Sequence, residues 1–143
     1  MVSTKDIVEE FGYSAGKIWN ELNTHGPLNE KELIKNTKLP KNNFYAAIGW
    51  LARENKIQFE NNLYILGETN LTEEIGKNAG KIWKTLEKNK ETDIPSITRL
   101  AKIKETNIYH ALGWLAREDK ILIKKGLFNT MYFKIQLKNT LTK

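Results

Sequence analysis

The chain has 143 residues, no cysteine and only three prolines. Without thiols there is no disulfide framework, no cysteine nucleophile and no thiolate zinc site, which suits a cytoplasmic setting. Histidine is almost as scarce. His25 and His110 are far apart and lack a clustered set of acids, so no metal site is expected. No apolar run approaches the ~20 residues a membrane helix needs, and the start, Met-Val-Ser-Thr-Lys-Asp-Ile-Val-Glu-Glu, has no apolar signal core. Also missing are a Gly-rich phosphate loop, a nucleophile–base pair and a carboxylate cleft. No catalytic residue, cofactor, small-molecule substrate or membrane association is therefore expected, and an enzyme is disfavoured.

What the chain does have is positive charge, unevenly placed. The net charge is +6. Through Leu71 there are 8 Lys+Arg against 9 Asp+Glu, and after it 15 against 8, so the halves carry −1 and +7. A basic balance admits a polyanionic partner without demanding one.

The chain also repeats itself. Ala15-Gly16-Lys17-Ile18-Trp19 returns as Ala79-Gly80-Lys81-Ile82-Trp83, and Gly49-Trp50-Leu51-Ala52-Arg53-Glu54 as Gly113-Trp114-Leu115-Ala116-Arg117-Glu118. Both matches, like Glu9, Glu10, Gly12 and Tyr45 with their partners, share the offset 64. One gapless offset means two copies of one unit. We place them at residues 1–67 and 71–137, divided by the polar Gly67-Glu68-Thr69-Asn70.

In each copy, apolar residues at helical spacing predict a first helix: Phe11, Ala15, Ile18 and Leu22, or Ile75, Ala79, Ile82 and Leu86. Thr72 reads as an N-cap, with Glu73 and Glu74 complementing the helix dipole. A short second helix starts around Asn29 or Asp93, with Pro95 in its first turn. Polar turns, Lys38 to Asn42 and Lys102 to Thr106, lead into a third helix. Its inner face is Phe44, Ile48 and Leu51, or Ile108, Leu112 and Leu115. β-prone runs follow: Lys56–Phe59 and Asn62–Leu66, then Lys120–Ile123 and a strand within Leu127–Ile135. The fold class is mainly α with small β-hairpin wings, a tandem winged helix-turn-helix of three helices and a two-stranded wing per copy.

The pattern Gly-x-x-Ala-Gly-Lys-Ile-Trp, then Tyr-x-Ala-(Ile/Leu)-Gly-Trp-Leu-Ala-Arg-Glu-x-Lys-Ile, resembles a small prokaryotic winged helix-turn-helix family, mostly single-copy and of uncharacterised function. The resemblance covers nearly the whole chain twice. It implies the fold, and it implies DNA binding by analogy, because fold does not fix function.

In such a unit the third helix enters the major groove while the turn and wing reach phosphates. That predicts an outward stripe of Thr106, His110, Gly113 and Arg117 beside Asn107 in the second copy. Asn42, Ala46, Gly49 and Arg53 beside Asn43 form it in the first. Lys102 and Lys104 in the turn, and Lys124 and Lys125 in the wing, make the second copy the main phosphate contact. The first offers Lys38 and Lys41 but Glu60-Asn61-Asn62 in its wing. The third helix itself carries few cations in its N-terminal half, where base-reading residues sit.

The glycines raise a second reading. Gly in a helix interior costs ~1 kcal/mol relative to Ala, yet Gly49 and Gly113 stand mid-helix beside Trp50 and Trp114. Gly12-x-x-x-Gly16 and Gly76-x-x-x-Gly80 lie in the first helices. Either each Trp fills the groove of its own first helix, or the Gly-Trp surface joins the copies or separate chains. In the latter case a DNA role falls to the wings or to Lys17 and Lys81, or gives way to a protein–protein scaffold. Two classes therefore stand: a DNA-binding regulator or architectural factor, and a winged-helix protein adaptor. Target sequence, DNA against RNA, activation against repression, and oligomeric state are not readable.

Overall fold

The computed structural model describes residues 7–125 and 133–138, with the Lys125 side chain outside that set. The first copy comprises α1 (Ile7–His25), α2 (Glu30–Thr37), α3 (Lys41–Arg53) and a hairpin of β1 (Ile57–Glu60) and β2 (Leu63–Leu66). The second comprises α4 (Thr72–Asn89), β3 (Glu91–Thr92), α5 (Ile94–Ala101), α6 (Glu105–Arg117), β4 (Ile121–Lys125) and β5 (Phe133–Leu137). Among the described residues no helix is long and apolar enough to cross a membrane.

Local chemistry sets most boundaries. Asn29 caps α2 with a full capping box: its Oδ1 accepts from the Glu32 N–H at 2.8 Å, and Glu32 Oε1 accepts from the Asn29 N–H at 2.9 Å. Asp93 caps α5 by accepting from the Ser96 N–H at 2.9 Å, and this bonding to Ser96 holds its carboxyl below the ordinary value. The β1–β2 hairpin of the first copy closes with Asn61 and Asn62 both at positive φ (53° and 66°), the twist that a two-residue hairpin needs and Asn tolerates.

Several expectations shift. Leu71, not Thr72, holds the N-cap position of α4; its apolar side chain makes no cap bond, and its own N–H donates to Thr69 Oγ1 at 3.1 Å. The polar turns are shorter than the sequence suggests, so Lys41, Asn42 and Thr106 lie in the first turns of α3 and α6. The second wing gains a strand, because β3 pairs with β5 to give the order β3-β5-β4; among the described residues the first copy has only the Leu28–Tyr64 bridge there. Of the expected turn Lys124-Lys125-Gly126, the two lysines continue β4 instead, Gly126 lies outside the described residues with 127–132, and the second strand runs to Leu137 rather than ending by Ile135.

The stripe Phe44, Ile48 and Leu51 is buried, as is Ile108, Leu112 and Leu115. The cores are not separate, however. Ile7 and Phe11 of α1 belong to the second copy's core, and Ile75, the repeat of Phe11, belongs to the first's. Each first helix thus reaches into the other copy. The stretch between the copies is fastened as well. Thr69 N–H donates to Asn55 Oδ1 at 2.8 Å, and Asn70 bonds both the N–H and the carbonyl of Phe59, at 3.0 and 2.9 Å. Asn70 so completes the exposed edge of β1 as a neighbouring strand would.

Candidate nucleic-acid interface

The face predicted to read bases is where the two copies meet. Among the described residues α3 and α6 form the most extensive contact between any two elements. A Cβ built on Gly49 would land on the His110 carbonyl, and one on Gly113 on the Ala46 carbonyl. Since 46 and 110 are repeat partners, as are 49 and 113, the contact is isologous: each copy offers the same patch to the other. Glycine is required because backbone packs on backbone there.

The ends of the patch repeat the symmetry. Arg53 Nε donates to Glu118 Oε2 at 2.9 Å, and Arg117 Nε to Glu54 Oε2 at 2.8 Å. Lys56 and Lys120 reach the other oxygens of Glu54 and Glu118, at 3.5 and 3.4 Å. The Arg53 guanidinium lies 5.7 Å over the Trp114 ring, and that of Arg117 6.0 Å over Trp50. The arginines are about half exposed, so each pair contributes modestly and serves mainly to fix orientation.

The two tryptophans serve both alternatives left open by the sequence. Trp50 lies on its own α1, where a Cβ on Gly12 would approach its Cζ2 to 2.9 Å, and Trp114 lies likewise against Gly76. Both also border the core of the other copy. Gly16 and Gly80 face open space, so only the first glycine of each pair makes room for a ring.

The expected outward stripe is therefore corrected at four positions: Ala46, Gly49, His110 and Gly113 face the other copy. Arg117 is spent on Glu54 and Trp50. His110 is half-buried rather than fully outward. Its ring meets Tyr45 edge-on at 5.6 Å, and its Nε2 is sealed from solvent without a hydrogen-bond partner among the described residues. Burial lowers its pKa from 6.5 to about 4. Tyr45 in turn donates to Glu30 Oε2 at 2.7 Å, and burial followed by that bond pushes its hydroxyl up to about 12.

The consequence for stability has a definite sign. Below its ordinary value the unfolded chain protonates His110 while the fold keeps it neutral, so stability falls as pH drops from 6.5 toward 4. At about 1.4 kcal/mol per unit, the loss near pH 5 is about 2 kcal/mol. Urea melts at neutral and mildly acidic pH check this: His110→Ala, which copies Ala46, should remove that part of the pH dependence. An unchanged profile would place the ring in water.

Elsewhere the candidate residues stay accessible. Lys41 and Asn42 are exposed and Asn43 half-buried; Lys102 and Lys104 are exposed, with Thr106 and Asn107 half-buried. Lys102 is the left-handed C-cap of α5, and Lys104 the N-cap of α6. Lys124 is exposed and sits directly opposite Lys134 in the β4–β5 ladder, whereas its counterpart in the first wing is Glu60. Such like-charged neighbours destabilise a ladder. Among the described residues no three of His, Cys, Asp and Glu converge to hold a metal.

Comparison with known families follows the repeat. The winged helix-turn-helix domain DUF2582 matches residues 4–66 and again residues 70–133. The chain belongs to that family. It carries two tandem DUF2582 domains, and the structure joins them through the face a winged helix would otherwise lay in a groove. No curated protein and no solved structure matches the chain.

Proposed function

We propose that this tandem DUF2582 protein is a non-enzymatic, cytoplasmic DNA-binding factor that grips the phosphate backbone mainly through its second copy. Lys102 and Lys104 before α6, Thr106 and Asn107 in its first turn, and Lys124 and Lys125 on β4 supply the contact. One observation carries the reading. The cations around the α3–α6 contact are spent on acids, while Lys102, Lys104 and Lys124 are exposed and form no ion pair among the described residues. Because the middle of each third helix is covered, sequence reading is confined to the first-turn residues. This favours an architectural or low-specificity role over a site-specific one.

The test is duplex binding at several salt concentrations. Each neutralised phosphate adds about 0.9 to the slope of log K against log salt, so changing Lys102, Lys104 and Lys124 to Gln should lower it by about 2–3. Absence of binding by the unmodified chain at low salt would remove the proposal. A second reading, a protein scaffold, is favoured by the burial of Ala46, Gly49, Gly113 and the His110 Nε2. It predicts no duplex binding even at low salt.

A further inference from the structure

The buried stripe of α4 is Ile75, Ala79, Ile82 and Leu86. On the opposite side of the same helix stand Lys77, Lys81, Lys84 and Lys88, spaced four, three and four residues apart. All four are exposed, and none forms an ion pair within 4.0 Å among the described residues, although Glu73 and Glu87 stand near the two ends of the row. Neighbouring like charges at these spacings destabilise a helix, so nothing in the folding of α4 calls for four lysines in line.

The first copy supplies the internal control. Its corresponding positions are Tyr13, Lys17, Asn20 and Thr24, on a helix of the same fold and register. The one lysine there is already engaged: Lys17 Nζ donates to the Thr37 carbonyl at 3.3 Å and lies 5.6 Å over the Tyr13 ring. The fold does not need the row; only the second copy has it.

The geometry points to this α4 face as a second nucleic-acid contact, one that lies along the phosphate backbone of a DNA duplex. The inference rests on the DNA-binding reading above and adds a surface to it. At 1.5 Å per residue, Lys77 and Lys88 lie about 16 Å apart along the helix, close to five base-pair steps of about 3.4 Å. Four cations on flexible stems over that span match a run of backbone phosphates and carry no base-reading group. With α3 and α6 facing each other, a side face of the paired copies can follow the duplex without either third helix entering a groove.

The decisive experiment compares three full-length proteins: the unmodified chain, a stripe variant (K77Q, K81Q, K84Q and K88Q together) and a turn–wing variant (K102Q, K104Q and K124Q together). Gln matches Lys in helix propensity, so the stripe variant should melt at the same temperature or higher. Binding to a short mixed-sequence DNA duplex is titrated between roughly 50 and 200 mM salt. The stripe variant should lose about 3.6 from the log–log slope, four phosphates at about 0.9 each. If its slope is unchanged while the turn–wing variant's falls, the α4 contact is overturned and the DNA-binding reading stands. If the unmodified chain binds no duplex, both fall. Binding instead to phosphatidylserine–phosphatidylcholine vesicles, lost in the stripe variant, overturns the inference in favour of a lipid surface.

Discussion

Gly49→Ala is expected to destabilise the protein by about 3 kcal/mol or more, and Gly113→Ala by a similar amount, although alanine is the better helix former by ~1 kcal/mol. The added methyl of Gly49→Ala would sit 2.7 Å from the His110 carbonyl carbon, and that of Gly113→Ala 2.6 Å from the Ala46 carbonyl carbon. Backbone cannot swing aside as a flexible side chain can, so the two helices must separate and open the layer between them. At roughly 2–4 °C per kcal/mol for a chain of this size, the melting temperature should fall by about 10 °C. Gly16→Ala and Gly80→Ala are the controls. Their methyls meet nothing within 4 Å, so each should raise stability by about 0.5–1 kcal/mol. The double variant at Gly49 and Gly113 should cost less than the sum of the singles, since helices already pushed apart make room for the second methyl. Urea denaturation of these five variants beside the unmodified chain decides it. If Gly49→Ala behaves like Gly16→Ala, the copies do not meet at that crossing.

Much of this architecture is legible without coordinates, and the reason differs from element to element. The offset 64 and the stripe Phe44, Ile48 and Leu51 report large apolar residues at a fixed period, the strongest signal a sequence carries. Asn29 and Asp93 announce helix starts because only short polar side chains can satisfy the first free N–H groups. The outward face of the third helix fails for a complementary reason. Ala46, Gly49 and His110 have too little hydrophobic surface to register as a buried stripe, yet glycine lets the backbone itself be the packing surface. The helix-interior glycines were the signal, and their propensity cost pointed to a close approach without saying to what.

Two further features lie beyond pattern reading. Phe11 and Ile75 sit on the inner faces of their helices, as the periodicity says, but a period cannot tell which copy's core receives them. The strand Glu91–Thr92 is two residues long, too short for any alternation to show. Lys124 and Lys125 stand between the two β-prone runs of the second wing, yet they continue β4 because strand geometry puts Lys124 on the solvent side of a ladder whose Ile123 and Ile135 face the core.

The exchange of first helices leads to the second large effect: the first copy alone, residues 1–70, should not persist as a folded monomer. A unit of this size is already marginal. Cutting the chain leaves Ile7 and Phe11 without the core that covers them, removes Ile75 from the core they leave behind, and uncovers Ala46 and Gly49. Two outcomes remain for the fragment: an unfolded chain, or a homodimer in which a second α3 takes the place of α6. The dimer is geometrically available because the contact is isologous, with Ala46 and Gly49 supplying both halves of the crossing and Arg53 and Glu54 both halves of the ion pairs. Sedimentation with circular dichroism should therefore show helicity that rises with fragment concentration. In the intact chain the same coupling makes Phe11→Ala cost about 3–5 kcal/mol. Its signature is non-local: amide exchange should accelerate in α6 and β4 of the second copy, not only around α1, because Phe11 is a core residue of the copy it does not belong to in sequence. A concentration-independent, cooperatively melting fragment would contradict this. The two copies would then be neighbours on a string, and burial of the third helices would be incidental to their stability.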